Sequence, residues 1–205
     1  MLTAAARNSQ TVQTPSFRAP TPPEPIERFD VMHPAVPREL DGLQILHLSD
    51  LHVRRVAHAT DRFQKLLRAV AAAPADLVIL TGDYTDEPGH EAAAVDALQR
   101  LVAAWVPPRL GAFGIFGNHD SNELLAAARK VEGITWLGGP GRRPMWVHPH
   151  PLLHLVGLDW PEDFVAAALD APRQPAAALT IALAHYPTAV IPAASLKIPL
   201  VFAGH

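Results

Sequence analysis

Five short apolar runs each lead directly into a residue able to hold a cation, and no other feature constrains the fold of this chain as much. Ile45–Leu48 passes through Ser49 into Asp50 and His52. Leu77–Leu80 reaches Gly82 and Asp83, and Ala112–Phe116 reaches Gly117, Asn118, His119 and Asp120. Thr180–Ala184 leads to His185, and Ile198–Ala203 leads to Gly204 and His205. Short apolar runs bounded by turn residues read as buried strands. In an open α/β sheet, ligands collect in the crevice beyond the carboxyl ends of the strands. Convergence of these five ends predicts a metal centre of two carboxylates, one amide and several imidazoles.

Helical patterns fill the spaces between the runs. Asp61–Ala73 places Phe63, Leu66, Leu67 and Val70 on one face, with Asp61 as the expected N-cap. Glu91–Val106 repeats the pattern through Ala94, Leu98, Leu101 and Val102 until Pro107 and Pro108 stop it. Ser121–Val131 is a third helix, capped by Asp120 or Ser121, and short helices are expected at Pro161–Leu169 and near Pro187–Ala194. Between Ile134 and Leu158 the texture changes to ITWLG, MWVHPH and LLHLVGL, read as three antiparallel strands of a second sheet. Strands alternating with helices make this an α/β protein. Residues 1–40 are expected to be an Ala/Pro-rich extension, with a tail over 1–25 and a lead-in strand at Glu27–Met32, and 41–205 to be the folded domain.

Composition narrows the function classes. With 205 residues, 49% of them hydrophobic and 18% charged, the chain can bury a sizeable core. A net charge of −3 argues against a general nucleic-acid or membrane-surface binder. There is no cysteine, which excludes disulfides, thiolate zinc sites and cysteine nucleophiles. No apolar run approaches the ~20 residues of a membrane span. The opening MLTAAARNSQTVQ has no apolar core of signal-peptide length. The expectation is a soluble, cytoplasmic protein.

The candidate ligands suggest their own chemistry. Asp50 and His52 lie two apart, so an extended backbone would point both to one side and let them share a cation. Gly82 permits a sharp turn before Asp83, whose two oxygens can bridge a pair of metals. Asn118 offers a carbonyl oxygen, and His185 and His205 offer imidazole nitrogens. Such mixed oxygen and nitrogen donors suit Mn, Fe or Zn better than an all-oxygen calcium or magnesium site. Two divalent cations against two carboxylates leave a positive excess, which attracts phosphate and lowers the pKa of a bound water. Two metals ~3.5–4 Å apart are the arrangement used for in-line displacement at phosphorus. His119, not needed as a ligand, can protonate the departing oxygen.

SDLH, GDYTD, GNHD, the lone histidine of LAHYP and the final AGH, in that order from Leu43 to His205, resemble the successive motifs of the calcineurin-like metallophosphoesterases. HLSDLHV, LVILTGDYTD and LAHYPTA are most similar to a bacterial phosphodiesterase branch whose members are often membrane-associated. The resemblance implies a four-layer α/β/β/α sandwich with two mixed sheets and two divalent metal ions. Asp50 and His52 would hold the first metal, Asp83 would bridge, and Asn118, His185 and His205 would hold the second. His119 would stand at the leaving group with Asp120 orienting it, and Asp86 would support the ligands from behind. The implied reaction is hydrolysis of phosphate esters, phosphodiesters above all, by metal-activated hydroxide. A nucleotide-linked lipid is one substrate the branch implies, and peripheral membrane association follows from the same likeness. The family's last motif has the form GHxH. This sequence stops at its first histidine, so the expected first-metal site lacks one ligand and the second sheet lacks its last strands. A non-catalytic fragment is the alternative reading, and a phosphomonoesterase or protein phosphatase a third.

Other polar residues carry plainer expectations. Arg54 and Arg55, just beyond His52, are the candidates for contact with a phosphate at the mouth. His148, His150 and His154 are read as sheet-face residues rather than a third metal site, and His47 as a core or sheet contact. His58 and His90 are read as loop residues. Trp105, Trp136, Trp146 and Trp160 are read as packing, since no basic patch accompanies them.

Overall fold

Parity along the strands separates the protein into layers. The computed structural model describes residues 26–54, 60–138, 145–158 and 178–205. The expected tail over 1–25, Arg55, His58, Trp160 and the helix at Pro161–Leu169 lie outside them. Strands β1 (Ile45–Leu48), β2 (Leu77–Thr81), β3 (Ala112–Ile115) and β4 (Thr135–Trp136) form one sheet in that order. Strands β5 (Met145–His150), β6 (Leu153–Leu158), β7 (Leu179–Ala184) and β8 (Leu200–Ala203) form a second.

Leu46, Leu48, Val78 and Leu80 turn outward to pack with Phe63, Val70, Leu98 and Leu101. These come from helices α1 (Asp61–Ala71) and α2 (Glu91–Ala104), which with α3 (Asn122–Ala128) cover the first sheet. The alternate residues Leu77, Ile79, Phe113 and Ile115 meet Leu153, Leu155, Leu179, Ile181 and Leu183 between the sheets. On the far side, Val156, Leu158, Ala182 and Ala184 pack with Ala193 of α4 (Val190–Ser195). Three apolar interfaces therefore separate four layers, the α/β/β/α sandwich that the resemblance implied. Each buried Leu or Ile contributes roughly 1.5–3 kcal/mol to this arrangement. No helix among the described residues is long and apolar enough to cross a membrane.

Several local expectations are corrected. The pairs β1–β2, β2–β3 and β3–β4 are all parallel, so mixing is confined to the second sheet, where β5 runs antiparallel to β6. ITWLG therefore adds a parallel edge to the first sheet instead of joining an antiparallel block. A two-residue strand has no periodicity to reveal its partner, and Trp136 is fixed by stacking on Phe116, with ring centroids 4.4 Å apart. Residues 27–33 form no strand: Phe29, Val31 and Met32 are exposed and have no ladder partner. The cap of α1 is Thr60, whose hydroxyl accepts from the Phe63 amide at 3.2 Å, one residue before the expected Asp61. Ser121 caps α3 in the same way through the Leu124 amide.

Candidate metal centre

Every candidate ligand follows the end of a strand, and the chain turns there through conformations that side chains rarely adopt. Five non-glycine residues among those described have positive φ, and four are Asp50 (52°), His52 (44°), Asp83 (56°) and His205 (69°). Strain of this kind clusters at functional sites, where surrounding bonds enforce it. Here the bonds are a continuation of β1 alongside β2: the amides of Asp50, His52 and Val53 donate to the carbonyls of Gly82, Asp83 and Tyr84 at 3.0, 3.0 and 2.8 Å. Asp50 and His52 therefore converge through left-handed bends, not through the extended alternation expected of them.

Two ligand groups result, each with its donor atoms within 4.8 Å of one another: Asp50, His52 and Asp83, and Asp83, His185 and His205. Asp83 belongs to both. Asn118 joins the second group, its Oδ1 lying 2.9 Å from His185 Nε2. Glycine makes this closeness possible. A Cβ on Gly117 would collide with Asp83 Oδ1 and lie 2.8 Å from His185 Cε1.

The chemistry of the second group calls for a cation. His185 is fully buried, and its Nδ1 lies 2.8 Å from the Thr81 carbonyl. A carbonyl only accepts, so Nδ1 carries a hydrogen and Nε2 faces inward. Nε2 meets two acceptors there, Asn118 Oδ1 and Asp83 Oδ2, the latter at 3.2 Å. Acceptors that converge in this way need a proton or a metal ion between them. Burial works against charge on His185, but the bonds to Asp83 and to the Thr81 carbonyl outweigh it and raise its pKa. Burial likewise opposes the Asp83 carboxylate, yet His185 and the His119 amide hold it below its ordinary value. Binding a metal ligand's far nitrogen to a backbone carbonyl fixes both tautomer and ring orientation. The residues present fit a divalent transition metal.

Around these groups the supporting contacts differ from expectation. His119 stands next to His52, ring centroids 5.1 Å apart, with its Nδ1 2.7 Å from the backbone carbonyl of Asp86. That carbonyl orients the ring, and Asp120 does not. Asp120 instead accepts from the amides of Asp83 (2.9 Å), Tyr84 (2.8 Å), Thr85 (3.3 Å) and Gly117 (2.7 Å). Desolvation of this buried carboxyl pushes its pKa up to about 6, against the pull of those amides. The Asp86 carboxylate lies 3.5 Å from His52 Nδ1 and accepts from Arg54 Nε at 2.8 Å. Arg54 is thus engaged with Asp86, its side chain mostly exposed.

Among the plainer readings, the rings of His148 and His154 lie 4.3 Å apart on β5 and β6, and the described residues give them no ligand group of three. Trp105 and Trp136 are buried in the helix-side core. Sequence reasoning passed over Ser49 and Thr81, which support the centre from within. Their signal was present: each is a hydroxyl residue where an apolar run meets its first ligand.

Comparison with known proteins agrees with this geometry. Residues 43–205 match the family model described as calcineurin-like phosphoesterase. The chain is 36% identical over 81 residues to the uncharacterized metallophosphoesterase YkoQ of Bacillus subtilis, covering 38% of this chain and 27% of that protein. It is 31% identical over 104 residues to a transmembrane protein with metallophosphoesterase domain from Danio rerio, covering 47% of this chain and 22% of that protein. The matched part thus spans about a quarter of each relative.

Proposed function

This chain belongs to the calcineurin-like phosphoesterases, and on that premise we propose that it hydrolyses phosphodiesters at a centre holding two divalent cations. The observation carrying the proposal is the sharing of Asp83 between two ligand groups. Divalent cations bound there supply electrostatic stabilisation of charge on phosphate oxygens and lower the pKa of a water.

The chain's own residues do the rest. Asp83, buried and held by the His119 amide at 2.9 Å, presents its second oxygen toward His52 and His185. Asn118 adds a neutral oxygen, so the ligand set keeps fewer negative charges than two divalent cations carry, and an anionic ester is attracted. His119 donates from Nδ1 to the Asp86 carbonyl, which leaves Nε2 as its free nitrogen. In the protonated ring, Nε2–H delivers a proton to the departing oxygen. Arg54, held at the rim by Asp86, is placed to meet the outer phosphate oxygens.

The test is release of p-nitrophenol from bis-p-nitrophenyl phosphate by the purified chain with Mn²⁺, with p-nitrophenyl phosphate in parallel and Asp83→Asn as control. Metal-dependent turnover of the diester, lost in the control, is expected. A folded, Mn²⁺-loaded chain that cleaves neither ester, or only the monoester, would sink the phosphodiesterase reading.

A further inference from the structure

A line of hydrogen bonds runs from the interface between the two sheets to Asp50. His47, on β1, points between the sheets, where its ring meets Phe202 of β8 edge-on at 5.2 Å. Its Nε2 lies 2.8 Å from Thr81 Oγ1, Thr81 Oγ1 lies 2.8 Å from Ser49 Oγ, and Ser49 Oγ lies 2.5 Å from Asp50 Oδ2. Thr81 is fully buried at the end of β2. Gly204 closes the line from the β8 side, since a Cβ there would collide with Ser49 Oγ and come within 2.8 Å of Asp50 Oδ2.

The direction of the protons follows from counting them. An ionised carboxylate has only acceptors, and each hydroxyl has a single hydrogen. Ser49 must give its hydrogen to Asp50, because the reverse leaves two oxygen lone pairs facing each other across that bond. Ser49 then accepts from Thr81, and Thr81 has nothing left to give His47. His47 therefore donates from Nε2. Burial lowers the pKa of this imidazole against the pull of Asp50, so the ring is neutral with its hydrogen on Nε2. One arrangement of protons satisfies all three bonds.

We propose that His47, Thr81 and Ser49 form a proton-ordered relay that fixes the Asp50 carboxylate for cation binding, which makes His47 and Thr81 positioning residues for the first ligand group. The relay engages Oδ2, and the His205 amide reinforces that side at 3.0 Å. Oδ1 is left turned toward His52 Nε2, 3.7 Å away. Asp50 thus presents one chosen oxygen. Thr81 also serves the second group through its carbonyl bond to His185. Its hydroxyl and its carbonyl steady different ligand groups, so the two contributions can be separated by substitution.

This inference rests on the proposed metal centre, and the experiment keeps the two apart. Thr81→Val retains shape and the carbonyl while removing the hydroxyl, and Thr81→Ser restores it. Ser49→Ala breaks the relay at a second point should Thr81→Val fail to fold. Calorimetric titration with Mn²⁺ reads each binding step, and ¹⁵N imidazole spectra of the metal-free chain read the His47 tautomer. Thr81→Val and Ser49→Ala are expected to weaken one binding step about 10–100-fold. The other step should change little, and Thr81→Ser should stay near wild type. The wild-type spectrum should show His47 protonated on Nε2. Wild-type affinities in both variants, equal weakening of both steps, or an Nδ1-protonated His47 would overturn the relay. A wild-type chain that binds no Mn²⁺ would instead overturn the proposed function and with it the purpose of the relay, whatever the tautomer.

Discussion

Asp83 and Asp120 hold each other's loops. Asp120 Oδ2 accepts from the Asp83 amide at 2.9 Å, while Asp83 Oδ1 accepts from the amide of His119, the neighbour of Asp120. The turns after β2 and β3 are thereby locked reciprocally, and the shared ligand is fixed before any cation arrives.

Asp120→Asn tests the lock. Asp120 uses two oxygens against four backbone amides, and an asparagine would turn an NH₂ toward some of them. Losing bonds to a buried charged acceptor costs roughly 1.5–3 kcal/mol each. Removing a charge that burial disfavours returns part of that cost. The expected outcome is a net loss of about 2–3 kcal/mol in denaturant unfolding of the metal-free chain, together with weaker Mn²⁺ uptake. Unchanged stability would show that desolvation of the charge fully offsets the amide bonds.

Asp83→Asn and His119→Ala should separate structure from chemistry. Asparagine at position 83 removes the charge shared by both ligand groups, so metal content measured by elemental analysis should fall at both. His119→Ala should retain metal and lower turnover of the diester about 10²–10⁴-fold, the usual contribution of a general acid. Equal metal loss in the two variants would refute this division of roles.

Asp76 gives a pH signature remote from the centre. Its carboxylate accepts from the Gln44 amide at 2.9 Å and from Arg109 Nε at 2.6 Å, tying the entrances of β1, β2 and β3 together. Those bonds, the Gln44 amide first, hold its pKa below the ordinary value despite some desolvation. A depressed folded value means that the stabilisation is complete above the unfolded carboxylate pKa of about 3.9 and is lost as pH falls through the folded value. Asp76→Asn should therefore be destabilised by about 1 kcal/mol near neutrality. The gap from wild type, measured by urea unfolding across a pH series, should close below about pH 4. A gap that persists or grows in acid contradicts the assignment.

Lys197→Gly should stabilise the fold. Lys197 follows α4 with φ of 57°, and its amide and that of Ile198 donate back to Ala194 and Ala193 in a Schellman arrangement. Left-handed backbone costs a side-chain-bearing residue about 1–2 kcal/mol, and the greater freedom of glycine in the unfolded chain offsets part of it. A gain of about 0.5–1 kcal/mol in unfolding free energy is expected. A loss would mean that the lysine side chain contributes contacts of its own.

What was legible in the sequence is what depends on neighbours in the chain. Apolar runs ending at Asp50, Asp83, Asn118, His185 and His205 announced both strands and ligands, because strand burial and ligand placement are local. Asp120 was misread because its partners lie more than thirty residues away, among amides that no side-chain pattern reports. His47 was read correctly as a sheet contact. Its continuation to Asp50 depends on Thr81, brought beside it only by the pairing of β1 with β2. The left-handed turns at Asp50 and His52 were hidden for the opposite reason: local preference opposes them, and only the bonds to the neighbouring loop enforce them.

The first sheet supplies Asp50, His52, Asp83 and Asn118, while the second supplies His185 and His205. A cation coordinated by His185 and Asp83 together is therefore a rivet through both sheets at one end of a seam otherwise closed by leucine and isoleucine. Occupancy of the centre and cohesion of the sandwich become a single equilibrium. Stripping the ions with a chelator should loosen the protein from this end inward, exposing amides near Thr81 and Ala184 to exchange well before those at the opposite ends of the same strands.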